Sequence, residues 1–156
     1  MEERTRFWES DVLLDVYREL LAEDSVDRLP LVISGNSMSP FLIHDRDTVF
    51  LSRLTEPVKR GQMVLYRRTG GQYVLHRVYR IEKDTITMIG DAQTIPERGI
   101  GHDQLIAVVT GALRKGKNQA PGSFWWEFFE KVWIRMVPCR PLIRRVYTGI
   151  RNRRKG

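Results

Sequence analysis

Two residues of this sequence have side chains suited to nucleophilic catalysis, Ser37 and His76. Ser37 lies in the string Ser-Gly-Asn-Ser-Met-Ser-Pro at 34–40, where glycine and small polar residues allow a sharp turn that leaves a hydroxyl exposed. A serine is a poor nucleophile until a neighbouring base accepts its proton. Read alone, the string is also typical of a turn without chemistry.

His76 is the candidate base. It lies in the string Tyr-Val-Leu-His-Arg-Val-Tyr-Arg at 73–80, and strand alternation puts Val74, His76 and Val78 on one face. Because an imidazole titrates near neutrality, it suits general base catalysis. A histidine on an apolar strand face is also commonly structural. His44 and His102 are alternative bases, although each also fits an exposed turn.

A carboxylate beside the histidine would complete a triad. Asp91, in the Gly-Asp pair at 90–91, is a candidate to accept a hydrogen bond from the imidazole and so fix its tautomer. A turn-forming Gly-Asp is the alternative interpretation. Three histidines and one cysteine show no metal-ligand spacing, so we expect no metal and no cofactor.

The elements that must position these residues form a small, mainly β domain. An amphipathic helix is predicted over 8–22, where apolar residues recur at helical spacing; they are Leu13, Val16, Tyr17, Leu20 and Leu21. Runs rich in β-branched and aromatic residues predict six strands: 31–33, 48–51, 62–67, 72–81, 85–89 and 105–113. Thr-Gly-Gly at 69–71 predicts a hairpin turn.

A helical tail follows a basic linker at 114–122. An aromatic stripe predicts its first helix and comprises Trp125, Phe128, Phe129, Val132 and Met136. An Arg-rich second helix is predicted over 142–150. The predicted organisation is a helix and linker at 1–29, a catalytic β domain at 30–114 and the tail at 115–156.

Charge is concentrated in this tail. Residues 131–156 hold nine Lys and Arg and no acid, which leaves 17 basic and 19 acidic side chains in residues 1–130. The tail has three interpretations: an interfacial helix on an anionic membrane, an aromatic stripe that packs on the β domain or a partner, and contact with nucleic acid, which is disfavoured because no known nucleic-acid module is apparent.

The cellular setting is constrained only loosely. The sequence contains no run of about 18 apolar residues, so it predicts no transmembrane helix. Residues 1–10 lack the apolar core of a secretory signal. The single cysteine, Cys139, excludes an intramolecular disulfide. We therefore expect a cytoplasmic protein, with peripheral membrane contact as an alternative.

Together, these strings resemble the signal peptidase I superfamily (S24/S26), which shares its antiparallel β fold with the LexA-type self-cleaving repressors. The order is Gly-x-Ser-Met-x-Pro at 35–40, Arg-Gly-Gln-Met-Val at 60–64, His-Arg-Val at 76–78 and Gly-Asp at 90–91. The resemblance covers roughly residues 31–113. His-Arg-Val is typical of the branch that uses histidine as base, as in endoplasmic-reticulum, archaeal and sporulation-type signal peptidases.

The resemblance implies a serine endopeptidase with Ser37 as nucleophile and His76 as base. In this branch acids near Gly-Asp assist the histidine, so Asp91 and Glu97 are both candidates and the choice stays open. The implied substrate is a leader or signal-like peptide with small residues before the cut, extended along a strand edge. A shallow apolar pocket for those residues is expected, lined by Met38, Pro40 and Phe41, although core packing explains these three equally well.

Three departures from the family pattern bear on location and substrate. The helix at 8–22 stands where the histidine branch usually has a membrane anchor, Ala-Gln at 92–93 replaces an asparagine, and Gly35 stands where some relatives have a serine that donates to the oxyanion. Two alternative functions follow: a non-catalytic peptide-binding module of the same fold, and a LexA-like self-cleaving regulator. The second is disfavoured because no helix-turn-helix is evident and the base is not lysine.

Overall fold

The computed structural model describes residues 2–24 and 26–154, with side chains described from Asp11 onwards. Met1, Ser25, Lys155 and Gly156, which belong to the predicted end segments 1–29 and 115–156, lie outside the described residues, as do the side chains of 2–10 in the predicted N-terminal helix.

An eight-stranded antiparallel sheet forms the body of the protein. Its strands are β1 (Leu29–Val32), β2 (Thr48–Arg53), β3 (Met63–Arg67), β4 (Tyr73–Ile81), β5 (Thr85–Ile89), β6 (Glu97–Gly101), β7 (Leu105–Arg114) and β8 (Lys117–Gln119). Seven of them follow the order β1-β2-β7-β3-β4-β5-β6, and β8 pairs with β7. The mainly β fold class and all six predicted strands are confirmed, to within a few residues at their ends.

Two strands escaped prediction because their sequences are not strand-like. β6 contains two glycines and buries only Ile100, and β8 is the polar tripeptide Lys-Asn-Gln at an edge. The predicted turn at 69–71 does join β3 to β4, since Arg68 N–H donates to Gln72 O at 2.8 Å. This turn sets the register in which Val64 faces His76.

The sheet buries apolar side chains on both faces. Alternate residues of β3 divide between two clusters: Met63 and Leu65 join one, and Val64 and Tyr66 join the other. The first cluster is covered by helix α1 (Glu2–Ala22) and by aromatic residues from the C-terminal segment. Strand alternation therefore decides which core each side chain joins.

Helix α1 packs through a stripe that differs from the predicted one. Leu14 and Leu21 are buried, whereas Leu13 and Val16 are exposed. The apolar arc of this helix is wider than its contact with the sheet, so helical spacing identified the helix but not its buried edge. The Tyr17 hydroxyl donates to Pro30 O at 2.8 Å and ties α1 to β1.

The C-terminal segment is a chain of short helices rather than the two predicted. Helix α2 (Phe124–Glu127) leads through a π turn (Phe128–Val132) and a 3-10 segment (Trp133–Cys139) into helix α3 (Arg140–Arg153). Because the residues per turn change along the segment, the predicted stripe does not stay on one face. The apolar residues that the C-terminal segment does bury are Trp126, Phe129, Ile134 and Val137. Residues 126–137 therefore pack on the body. Within the described residues, no helix combines the length and apolar character needed to cross a bilayer.

Candidate functional site

A cleft of about 330 Å³ lies between β1, the loop that follows it and β4. Ser37 lines it from the loop, and His76 lines it from β4. No hydrogen bond joins the two side chains. Leu31, Ile33, Met38, Leu65 and Leu75 supply much of the apolar lining. The two candidate catalytic residues, 39 positions apart in sequence, therefore share one cleft.

The loop that carries Ser37 is fastened at both ends. Gly35 adopts a left-handed conformation, with φ of +84°, which a residue without a Cβ reaches at no steric cost. Its N–H donates to His44 Nδ1 at 2.9 Å. After the serine, Leu42 N–H donates to Met38 O at 2.9 Å. His44 therefore holds the loop from outside the cleft, which gives it a structural role there.

The loop after β5 packs directly against the peptide of Ser37. Ala92 N–H donates to Ser37 O at 2.9 Å. A Cβ on Gly90 would lie 2.4 Å from the same oxygen, far inside van der Waals contact, so only glycine permits this approach. The Gly-Asp string noticed in the sequence thus positions the serine through its backbone.

His76 is almost fully buried, at 2% exposure, and has one polar partner. Its Nδ1 lies 3.1 Å from the Tyr66 hydroxyl, which in turn donates to Glu97 Oε2 at 2.9 Å. Tyr66 has a single proton and gives it to Glu97, so its oxygen must accept from His76 Nδ1–H. The Nε2 atom is then the unprotonated nitrogen, as a general base requires.

The pKa shifts of Glu97, Tyr66 and His76 agree with this chain of hydrogen bonds. Burial would raise the pKa of Glu97, but hydrogen bonds from Arg68 and Tyr66 lower it below its ordinary value. Burial and the bond to Glu97 raise the pKa of Tyr66, which keeps its proton. Burial lowers the pKa of His76 to about 4, against the opposing charge of Glu97. At neutral pH the imidazole is therefore neutral and able to accept a proton.

Asp91 is placed differently from the expectation that it orients His76. Its Oδ1 accepts from Arg77 Nε at 2.8 Å, and the pair is buried on the opposite face of β4. Ile89 pairs with Arg77 across the β4–β5 ladder, and Asp91, two residues beyond Ile89, falls on that same side. Of the two acids left open, Glu97 is the one connected to His76, through Tyr66.

The loop that contains Asp91 is anchored by the C-terminal segment. Trp133 Nε1 donates to Asp91 O at 2.9 Å. The buried Arg140 donates to Gly90 O at 3.0 Å and to Gln93 O at 2.9 Å. Residues 133–140 therefore fix the loop at 90–93, whose Ala92 N–H bonds Ser37 O.

The three residues expected to line a substrate pocket separate in the structure. Met38 is buried and lines the cleft. Phe41 is fully buried in the core, where its ring centroid lies 4.9 Å from that of Phe129, and Pro40 is exposed away from the cleft lining. The expectation is thus corrected for Pro40, which points to solvent outside the cleft lining, and for Phe41, which packs in the core. His102 is exposed in a short 3-10 turn outside the cleft.

Sequence reasoning missed Tyr66 and Arg68. Tyr66 is a strand residue of ordinary type, and only the register of the β3–β4 hairpin shows it to be the diagonal neighbour of His76. Arg68 holds Glu97 through a salt bridge of 2.7 Å. Among the described residues, no group of His, Cys, Asp and Glu side chains is arranged to hold a metal ion.

Comparison with known proteins agrees with this geometry. A family description, Peptidase S24-like, matches residues 10–112, well over half of the 156-residue chain. No curated protein and no solved structure shows significant similarity. The matched range includes β1 to β7 up to residue 112, the serine loop, and both Ser37 and His76, which line the cleft. The chain belongs to the Peptidase S24-like family.

Proposed function

We propose that this protein is a serine endopeptidase in which Ser37 is the nucleophile and His76 the general base. The observation that supports it most strongly is the tautomer of His76. The Tyr66 hydroxyl, which itself donates to Glu97, is the partner of Nδ1, and this leaves Nε2 without a hydrogen bond in a residue that lines the same cleft as Ser37. A structural histidine would have its second nitrogen satisfied as well.

The reaction is amide hydrolysis in two steps. Ser37 Oγ attacks the scissile carbonyl, and its proton passes to His76 Nε2; the imidazolium then gives a proton to the leaving amine as the C–N bond breaks. Water attacks the resulting ester, loses its proton to His76 and releases the acid with Ser37 restored. The backbone N–H of Ser37 has no acceptor among the described residues and is a candidate donor to the oxyanion.

The substrate binds as an added strand. β5 pairs with β4 only from Arg77 to Ile81, so the part of β4 from Tyr73 to His76 has a free edge on that side. Val78 directs its N–H and C=O towards the β3 side, and alternation therefore turns those of Leu75 and Tyr73 to the free edge. An extended leader or signal-like peptide pairs there through its backbone, and its small side chains meet the apolar lining of the cleft.

A non-catalytic peptide-binding module is the second candidate. The lack of a hydrogen bond between Ser37 and His76 favours it, because a serine without a base at hydrogen-bond distance is a poor nucleophile. Catalytic hydrogen bonds often tighten only when substrate binds, which keeps the peptidase as the first choice.

Digestion of a defined peptide library, followed by mass spectrometry, separates the two candidates. Ser37→Ala and His76→Ala are each expected to lower cleavage by at least roughly 1,000-fold. The matched controls are Ser39→Ala, on the same loop, and His102→Ala, outside the cleft, and both should cut as the wild type does. Peptides that bind wild type and Ser37→Ala equally well and are never cut would refute the peptidase assignment.

A further inference from the structure

Helix α3 carries its apolar side chains on the outside. Leu142, Val146, Tyr147 and Ile150 recur at helical spacing and are 66%, 54%, 69% and 52% exposed. An amphipathic helix that packs on a globular body normally buries such a stripe. The stripe of α3 therefore lacks a partner within the described part of the chain.

Polar residues on the other side of α3 border a shallow groove. Arg144, Thr148 and Asn152 line a groove of about 560 Å³ together with Thr94, which lies in the loop before β6. The first turn of α3 is attached to the body, because Arg140 is buried there and donates to Gly90 O. The helix otherwise contacts chiefly the preceding 3-10 segment. Beyond this attachment, the apolar stripe is left exposed.

The positive charge of the helix indicates which kind of surface would cover the apolar stripe. Residues 131–156 hold nine Lys and Arg and no acid. Arg151 and Arg153 lie in the last turn of the helix, and Arg154 follows as its C-cap residue. Contact between two copies of α3 would bring these cations together without a compensating carboxylate. An anionic surface with an apolar interior complements both the arginines and the stripe.

We propose that α3 binds the surface of a membrane rich in anionic lipid. The 14-residue helix, about 21 Å long, lies in the plane of the interface, with its apolar stripe below the phosphates. Guanidinium groups bond lipid phosphate oxygens, a pairing for which arginine is well suited. Such binding would place the cleft near membrane-bound peptides, but the proposal stands whether or not the cleft is catalytic.

Co-sedimentation of the full chain with vesicles tests this proposal. Vesicles of phosphatidylcholine with phosphatidylglycerol in equal parts should bind the protein, and vesicles of phosphatidylcholine alone should bind it much more weakly. Binding should weaken as salt is raised, and roughly fivefold for each arginine removed in Arg151→Gln and Arg153→Gln, since one arginine near an anionic surface contributes about 1 kcal/mol.

The apolar stripe is tested by the triple variant Leu142→Ser, Val146→Ser, Ile150→Ser. It should bind anionic vesicles at least roughly tenfold more weakly, while Thr148→Ser with Asn152→Ser, on the opposite side of the helix, binds as wild type. Circular dichroism and the unfolding midpoint verify that each variant is folded. The proposal is overturned by absent binding to anionic vesicles, by a triple variant that binds normally, or by wild-type self-association in ultracentrifugation that the triple variant loses.

Discussion

The buried, neutral state of His76 makes the stability of the protein depend on pH in a defined window. Burial lowers its pKa from 6.5 to about 4 in the folded protein. Between these values the unfolded chain binds more protons than the folded one, so acidification favours unfolding. The stabilisation is complete above pH 6.5 and is lost progressively as pH falls towards 4.

The magnitude follows from the two pKa values. At pH 7.5 the histidine is neutral in both states and the difference vanishes, whereas at pH 5 the preferential protonation of the unfolded state costs about 2 kcal/mol. In His76→Gln the residue no longer titrates and this loss should disappear, while other groups contribute equally to both proteins. The free energy of unfolding, from urea denaturation at pH 7.5 and pH 5, should therefore fall by about 2 kcal/mol more in wild type than in the variant.

The control for this comparison is His102→Gln, which removes an exposed imidazole outside the cleft. It should retain the full pH dependence of the wild type. A His76→Gln variant whose stability falls with pH as steeply as that of the wild type would show that the imidazole is not held neutral by burial, and the reasoning about its base form would fail with it.

Three other predictions concern the residues around the cleft. Tyr66→Phe breaks the link to the histidine's Nδ1, so peptidase assays should show kcat lower by roughly tenfold or more with KM little changed; unchanged kcat would remove the tyrosine from the mechanism. Gly90→Ala pushes the nucleophile's peptide away and should lower kcat/KM roughly 100-fold, whereas Gly70→Ala, which meets no atom within 4 Å, should leave it intact; equal loss in both would contradict the packing argument. Asp91→Ala leaves the guanidinium of Arg77 buried without its carboxylate and should destabilise the fold by about 3–5 kcal/mol in urea unfolding; a loss below about 1 kcal/mol would show that the pair carries little energy.

Most of the sheet was predictable because its strands have strong local patterns. β3 and β4 are rich in β-branched and aromatic residues, and the Thr-Gly-Gly turn between them limits their register to a single alignment. β6 and β8 lacked such patterns, and pairing with an established neighbour makes them strands. Tertiary context of this kind is absent from local sequence.

The partners of the histidine were only partly predictable. Strand alternation already predicted that Arg77 and His76 lie on opposite faces of β4. Asp91 reaches the Arg77 face because Ile89 pairs with Arg77. That pairing depends on a bulge between Val78 and Arg80, which the sequence does not reveal. Glu97 reaches the histidine through Tyr66, a side chain that nothing in its own string marks as functional. An indirect hydrogen-bond path has no sequence pattern, because its geometry depends on the fold.

The C-terminal segment shows how the cleft depends on residues far beyond the strings that identified it. A buried arginine, Arg140, fixes the carbonyls of Gly90 and Gln93, and between them Ala92 fixes the carbonyl of Ser37. One loop therefore connects the start of α3 to Ser37 through hydrogen bonds. If α3 binds a membrane, Arg140 serves two regions at once. It fixes the start of the helix that carries the exposed stripe, and it bonds the loop that packs on Ser37.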